Sequence, residues 1–241
     1  MTTPPDATTH IAPCRPTVSC TADFANPGTL EVEVGYLFAR DASYDTTRGF
    51  PFLIKLTLSK LLQIQVGSGN GLTFVSSPSS VYFDNLLTGL KLHVGDQGKF
   101  MPSFAVTALV SIPTHQYVGV ILTGHLSKDI GPLHIDVNAG INEVGVDNSS
   151  PATQGFVAGA LSATLAGPLG GAIETYYFSD GSGVDGVPFS LSHDGGLRMV
   201  LNLSPKPWLV FDAGGDIGYF PSVRAFSVFF GMSIAPVVFW R

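Results

Sequence analysis

His125 and His134, taken with Ser111 or Ser127, are the residues from which a hydrolytic centre would be built, since a hydroxyl beside an imidazole can attack an ester or an amide. The chain offers little more in that direction. It has no G-x-S-x-G elbow, and serine, histidine and aspartate are common enough that such a trio can be drawn in most chains. No catalytic residue is assigned and an enzyme is not expected. His134, Asp136 and Asn138 recur every second residue, so on a strand they share a face that could hold a hard cation. Two donors flanking a carboxylate more often form a hydrogen-bond ladder. The stretch from Asp180 to Gly186 superficially resembles a calcium loop but lacks the glutamate at the twelfth position. No metal and no cofactor are expected. Cys14 and Cys20, spaced Cys-x5-Cys, have no second pair of ligands nearby, which argues against zinc. An oxidising compartment would let them pair as a disulfide; two free thiols are the alternative.

Composition removes other classes. A net charge of −6 with scattered Lys and Arg gives no clustered positive surface, so nucleic acid is not an expected partner. Charged residues are only 12% of 241, about half the share usual in soluble domains, and such a surface is poorly solvated in water. A membrane helix needs about 20 consecutive apolar residues. The uncharged stretch from Gly155 to Ile173 carries a Gly155/Gly159 pair, yet Pro168, Gly170 and Gly171 break it. Ala225 to Trp240 is short and contains Pro236.

A period of two runs through nearly the whole chain. Leu30, Val32, Val34, Tyr36 and Phe38 oppose Glu31, Glu33 and Gly35; Leu133, Ile135, Val137 and Ile141 oppose His134, Asp136, Asn138 and Asn142. This is the pattern of strands with one apolar face. Strands are read from Leu30, Phe52, Leu62, Leu86, Phe104, Val118, Leu133, Val157, Gly171, Leu197, Leu209 and Ala225, about twelve in all. Turn signals separate them at Asp41 to Thr47, Gly67 to Gly71, Gly95 to Gly98, Pro113 to His115, Asp147 to Pro151, Ser179 to Gly186 and Ser204 to Pro207. A soluble β-sandwich alternates similarly, but its outer face needs charge, and here the face opposite the apolar one is mostly Gly, Ser, Thr, Asn and Gln. The expected fold is therefore all-β: a closed, antiparallel, up-and-down transmembrane barrel, with apolar side chains outward and polar ones around a lumen. Closure follows because an unpaired N–H or C=O in hydrocarbon costs several kcal/mol.

On that parity Glu31, Glu33, Lys55, Lys91, His93, His125, His134, Asp136, Asn138, Glu174, Arg198, Asp212 and Asp216 point into the lumen, with acids slightly in excess. They either tune which solutes pass or pair with one another and brace a filled barrel. Tyr36, Phe38, Phe50, Phe52, Tyr82, Phe83, Tyr176, Tyr177, Tyr219, Phe220 and Trp240 stand near strand ends and suit interfacial girdles. Residues 1–27 form an irregular Pro- and Thr-rich lead, a candidate lumen plug, and residues 28–241 the barrel. Residues 1–20 lack the basic and apolar stretches of a secretory signal, which is taken to have been removed before the lead.

The order of segments resembles the outer-membrane transporter family labelled "MetA-pathway of phenol degradation". The resemblance covers residues 28 to about 235 and rests on Gly28 to Tyr36, Leu58 to Gly67, Pro102 to Thr114, Leu133 to Gly140 and Glu174 to Tyr177. Gln63 and Gln65 stand where such proteins tend to carry an acid, and the chain ends Phe239-Trp240-Arg241 instead of on an aromatic. The resemblance implies a small barrel in the bacterial outer membrane, dependent on the barrel-assembly machinery and admitting small hydrophobic or aromatic solutes. It transfers no solute-contacting residues. A filled structural or adhesive barrel and a soluble binding module are the competing expectations.

Overall fold

A computed structural model describes residues 11–14, 17–113, 118–144, 152–179 and 193–240. The first ten residues of the lead, the expected turns around 114–115 and 147–151, the glycine-rich loop 180–186 and Arg241 lie outside the described residues. The strands, in chain order, are β1 (Thr29–Arg40), β2 (Thr46–Thr57), β3 (Leu62–Ser76), β4 (Ser79–Phe83), β5 (Asn85–Gly95), β6 (Ser103–Pro113) and β7 (Gly119–Ile130). There follow β8 (Leu133–Val144), β9 (Ala152–Ala166), β10 (Leu169–Phe178), β11 (Asp194–Lys206), β12 (Leu209–Gly218) and β13 (Phe226–Val238).

Apart from β4 and β5, which both pair with β3, each strand pairs antiparallel with its neighbours in sequence, and β1 pairs with both β2 and β13, so the sheet closes. β4 pairs with the outer part of β3, from Leu72↔Phe83 to Ser76↔Ser79, while β5 pairs with the inner part, from Leu62↔Leu92 to Gly67↔Leu87. β4 and β5 therefore occupy one place in the wall, broken at Asp84, and the ring has twelve places. The backbone ladders of the wall run between adjacent strands around the ring, as hydrocarbon requires.

Two turn assignments need correction. Gly67 to Gly71 is not a turn: β3 continues through it to Ser76. At this point Phe50 faces both Gly71 and Leu72, a bulge with Gly71 at φ +59°, where a Cβ would lie 2.0 Å from the Phe50 carbonyl oxygen. The glycines that read as a turn instead let the hairpin β3–β4 extend beyond the wall. Ser204 to Lys206 likewise belong to β11, and that turn is reduced to Pro207 and Trp208.

The end holding the start of β1 and the end of β13 carries the two-residue connections 131–132, 167–168 and 207–208 together with 58–61 and 96–102; this is called the near end. The far end carries the β3–β4 hairpin and the longer connections 179–193 and 219–225.

The alternation holds as drawn from the sequence. Ile173, Leu201 and Val228 point out of the ring and are 50%, 57% and 49% exposed, while Glu31, Lys55 and Glu174 point in and are at most 1% exposed. The large apolar residues do not meet in a central core, which rules out the sandwich. Aromatic rings cluster outside on the far half, with Tyr36 5.4 Å from Phe50 and 5.2 Å from Phe230, and Phe239 and Trp240 pair at the near end. Tyr176 does not belong to a girdle. It shares the parity of Glu174 and is buried inside.

Candidate functional site

The interior is built on alternate residues of adjacent strands. Register places Glu31 of β1 opposite Lys55 of β2, and the Lys55 Nζ lies 2.6 Å from Glu33 Oε1 and 3.4 Å from Glu31 Oε1. The lead lies against this group. Lys55 donates to the Ala12 carbonyl at 2.5 Å, the Ala12 N–H donates to Glu31 at 2.8 Å, and the Cys14 N–H donates to Glu33 at 3.1 Å. Ile11 N–H reaches the Pro207 carbonyl in the β11–β12 turn, so this arm of the lead starts from the near end.

The second arm runs between β5, β7, β8 and β10. His93 Nδ1 is 3.1 Å from the Ala22 carbonyl, the Ala22 N–H donates to Ser127 Oγ at 2.6 Å, and Lys91 donates to the Thr21 carbonyl. Asn138 pairs with Cys20 twice, accepting from its N–H at 2.6 Å and donating to its carbonyl at 3.0 Å. Deeper still, the N–H groups of Val18 and Ser19 donate to the two oxygens of Glu174 at 2.9 and 2.6 Å. The arms meet at Cys14 and Cys20, whose sulfurs are 1.94 Å apart with Cα atoms at 4.5 Å. The described part of the lead is thus a hairpin inside the ring, its tip against Glu174 midway along β10.

A second polar group sits further out. Arg198 Nη2 is 2.8 Å from Asp216 and its Nη1 is 3.5 Å from Glu174; Arg224 Nη2 is 2.6 Å from Asp194 and its Nε is 3.5 Å from Asp216. Both guanidinium groups lie over the Tyr176 ring, at 5.1 and 5.4 Å, and Arg224 donates to its hydroxyl. Burial opposes the charge on Arg224, yet Tyr176, Asp194 and Asp216 raise its pKa above the ordinary value. Arg224 was not identified from the sequence because it lies in the loop 219–225, where strand parity gives no direction.

His125 is hydrogen-bonded through both ring nitrogens: Nε2 with Thr107 Oγ1 at 2.7 Å, Nδ1 with the Cys20 carbonyl at 3.1 Å and Asn138 Oδ1 at 3.0 Å. An Nδ1–H donor and an Nε2 acceptor satisfy these contacts. His134 bridges Asp129 at 2.7 Å and Asp136 at 3.1 Å. Ser127 Oγ donates to Asp136, and Ser111 Oγ accepts from Asn85 at 3.1 Å. The serines and histidines considered for hydrolysis are therefore not brought together in these hydrogen bonds. Gln63 and Gln65 form a chain on the same inner face, Gln65 donating to Gln63 at 2.8 Å and Gln63 to Thr57 at 3.1 Å. Among the described residues no group of His, Cys, Asp and Glu is arranged to hold a metal ion.

The hairpin divides the interior. On its far side lies a cavity of about 520 Å³ floored by Cys14, Thr17, Val18 and Cys20 and walled by Leu37, Leu53, Leu109, Ile121, Phe156, Phe178 and Phe229, with Gln65, Thr107, His125, Arg198 and Arg224 among them. Gly140 makes room for one of these rings: a Cβ there would fall 2.5 Å from the Phe156 ring. On the near side lies a cavity of about 380 Å³ lined by Asp23, His134, Asp136, Asn202 and Asp212 with the lead residues Ile11 to Pro13. The thirteen sequence-predicted lumen residues thus fall into three places: around the hairpin (Glu31, Glu33, Lys55, Lys91, His93, His125, Asn138, Glu174), in the outer arginine cluster (Arg198, Asp216) and in the near cavity (His134, Asp136, Asp212).

No family model matches the chain, and no curated protein matches it. Solved structures do. The chain is similar to an outer membrane channel from Pseudomonas putida F1, at 11% identity and TM-score 0.65 over 90% of this chain and 97% of that one. It is also similar to the NanC porin, at 10% identity and TM-score 0.61 over 85% of this chain and 98% of that one. At such identities the likeness is one of fold: these proteins are barrels of the outer-membrane type, as is this chain.

Proposed function

We propose that the chain is a bacterial outer-membrane channel for small solutes with an apolar or aromatic body, and that its N-terminal lead is a plug that bars the lumen at rest. The observation that carries the reading is the cavity of about 520 Å³ on the far side of the hairpin, where aliphatic and aromatic side chains are interspersed with a few hydrogen-bonding groups inside a closed ring. Binding sites for small organic molecules combine these features: an apolar wall for the body of the solute and sparse polar groups for its orientation. The tight near-end turns suit the periplasmic side and the longer far-end loops the outer surface, so this cavity opens toward the cell exterior. The two similar solved structures named above, a channel and a porin, support the location and the class of activity.

The outward apolar face is the partner of the lipid bilayer, and insertion is expected to require the barrel-assembly machinery. Liposome-swelling assays test the reading. A variant lacking residues 1–22 is expected to pass a neutral phenolic solute faster than a sugar of similar size, and the full chain to pass both more slowly. Equal rates for the two solutes would remove the substrate class. No flux through a folded, lead-free barrel would remove the channel.

A further inference from the structure

Among the described residues, most of the hydrogen bonds between the hairpin and the wall are made to its main chain. The N–H groups of Ala12, Cys14, Val18, Ser19, Cys20 and Ala22 donate to wall side chains, and the carbonyls of Ala12, Cys20, Thr21 and Ala22 accept from them. Side-chain contacts of the lead are few: the Ser19 hydroxyl donates to Glu174, the Thr21 and Ser127 hydroxyls meet, Lys91 reaches the Cys20 sulfur and the Phe24 ring, and that ring meets His93. The wall supplies the carboxylates Glu31, Glu33 and Glu174 to four of these N–H groups and the neutral Asn138 and Ser127 to the other two, and it meets the carbonyls with Lys55, Lys91, His93 and Asn138. These wall groups are buried, and buried charges persist only with partners.

The spacing is that of a peptide. Glu31 and Glu33 are alternate residues of β1, about 7 Å apart along a strand, and they take the N–H groups of Ala12 and Cys14, which are also alternate residues. Glu174 takes two consecutive N–H groups at the tip, an arrangement open to any backbone that turns there. Every polypeptide carries N–H and C=O groups at these repeats whatever its side chains are, so recognition through them is largely independent of sequence.

We propose that the inner wall is a receptor for polypeptide main chain, that the lead is its tethered resident, and that an unlinked short peptide of different sequence can take the lead's place from the near end. The proposal rests on the reading of the lead as an occupant of the lumen. A tether gives the lead a high effective concentration, so a free peptide competes best once the lead's own hold is weakened. Val18→Pro and Ala22→Pro together, in the full chain, remove two N–H donors and leave every wall residue in place.

Three labelled peptides are then titrated by fluorescence anisotropy in detergent: the sequence of residues 17–25 with serine for cysteine, a scrambled sequence of the same composition, and the first peptide N-methylated at alternate residues. The first two are expected to bind within about threefold of each other, and the third about tenfold more weakly or worse, because each lost donor leaves a buried acceptor short of a partner, Glu174, Asn138 or Ser127. Binding confined to the unscrambled peptide, or equal binding of the N-methylated one, would overturn the proposal, as would no binding of any of them. Should the double variant fail to fold, the wild-type chain at millimolar peptide is expected to rank the three alike, and a different ranking there counts against the proposal equally. Conductance of the same double variant separates the two readings: peptide binding without conductance removes the channel and keeps the receptor, and conductance without peptide binding does the reverse.

Discussion

The near and far halves of the lumen are lined by the same strands on the same parity, yet they differ in character. Glu33 and Leu37 both point inward from β1, Lys55 and Leu53 from β2, His125 and Ile121 from β7, Glu174 and Phe178 from β10. In each pair the charged or polar member lies where the lead passes and the apolar member lies beyond its tip. On these four strands interior charge follows the peptide that occupies the ring; beyond its tip the wall is largely apolar around open space, with charge gathered in the Arg198, Asp216, Arg224 and Asp194 group. The polar half holds the lead by hydrogen bonds, and the largely apolar half is where the proposed solute would sit.

The comparison can be broken most sharply by stability measurements. Lys55→Met removes the ammonium that Glu31 and Glu33 share, and should lower the unfolding free energy by about 3–5 kcal/mol, the range for removing one partner of a buried ionic group. Leu109→Ala, on the far side, borders the cavity and should cost less than about 1 kcal/mol, as substitutions away from packed contacts do. Urea unfolding in detergent micelles reads both; similar losses at the two sites would show that the halves are not built differently. A smaller effect concerns the lipid face. Ile173→Arg, midway along β10, should cost about 2–4 kcal/mol, whereas Ile217→Arg, near the far end of β12, should cost about 0–1 kcal/mol, since the penalty falls toward the interface.

Smaller still are the transport effects. Phe178→Ala in the far cavity should slow flux of an aromatic solute through the lead-free barrel by about two- to tenfold, the scale of one lost ring contact, with little change for a sugar. Equal slowing of both would make Phe178 a structural residue only. On the near side the carboxylates Asp23, Glu31, Glu33, Asp136 and Asp212 outnumber the basic groups Lys55, Lys91 and His134, so a lead-free pore should prefer cations. Asp212→Asn should reduce that preference slightly, read as a smaller reversal potential in a salt gradient; an anion preference in the parent pore would contradict the charge placement.

The ring and its parity were legible in the sequence because alternation is a local property: each of the twelve expected segments lies on an observed strand, and all thirteen candidate lumen residues share the inward face. Depth was not legible. Nothing in the alternation separates Leu37 from an outward residue except its place between Tyr36 and Phe38, and the run Tyr176-Tyr177-Phe178 conceals that its first and last rings point inward. Glycines 67–71 read as a turn because a bulge and a turn make the same demand for left-handed backbone. Most contacts of the described part of the lead leave no sequence signature, since its main-chain N–H and C=O groups carry them.

The most direct test of the account is electrical. In planar bilayers the full chain should be quiet, and the chain lacking residues 1–22, shown to be folded by its heat-dependent gel migration, should open steps of steady, cation-preferring conductance. A folded lead-free barrel that stays silent, or a full chain that conducts as well as the truncated one, would contradict it.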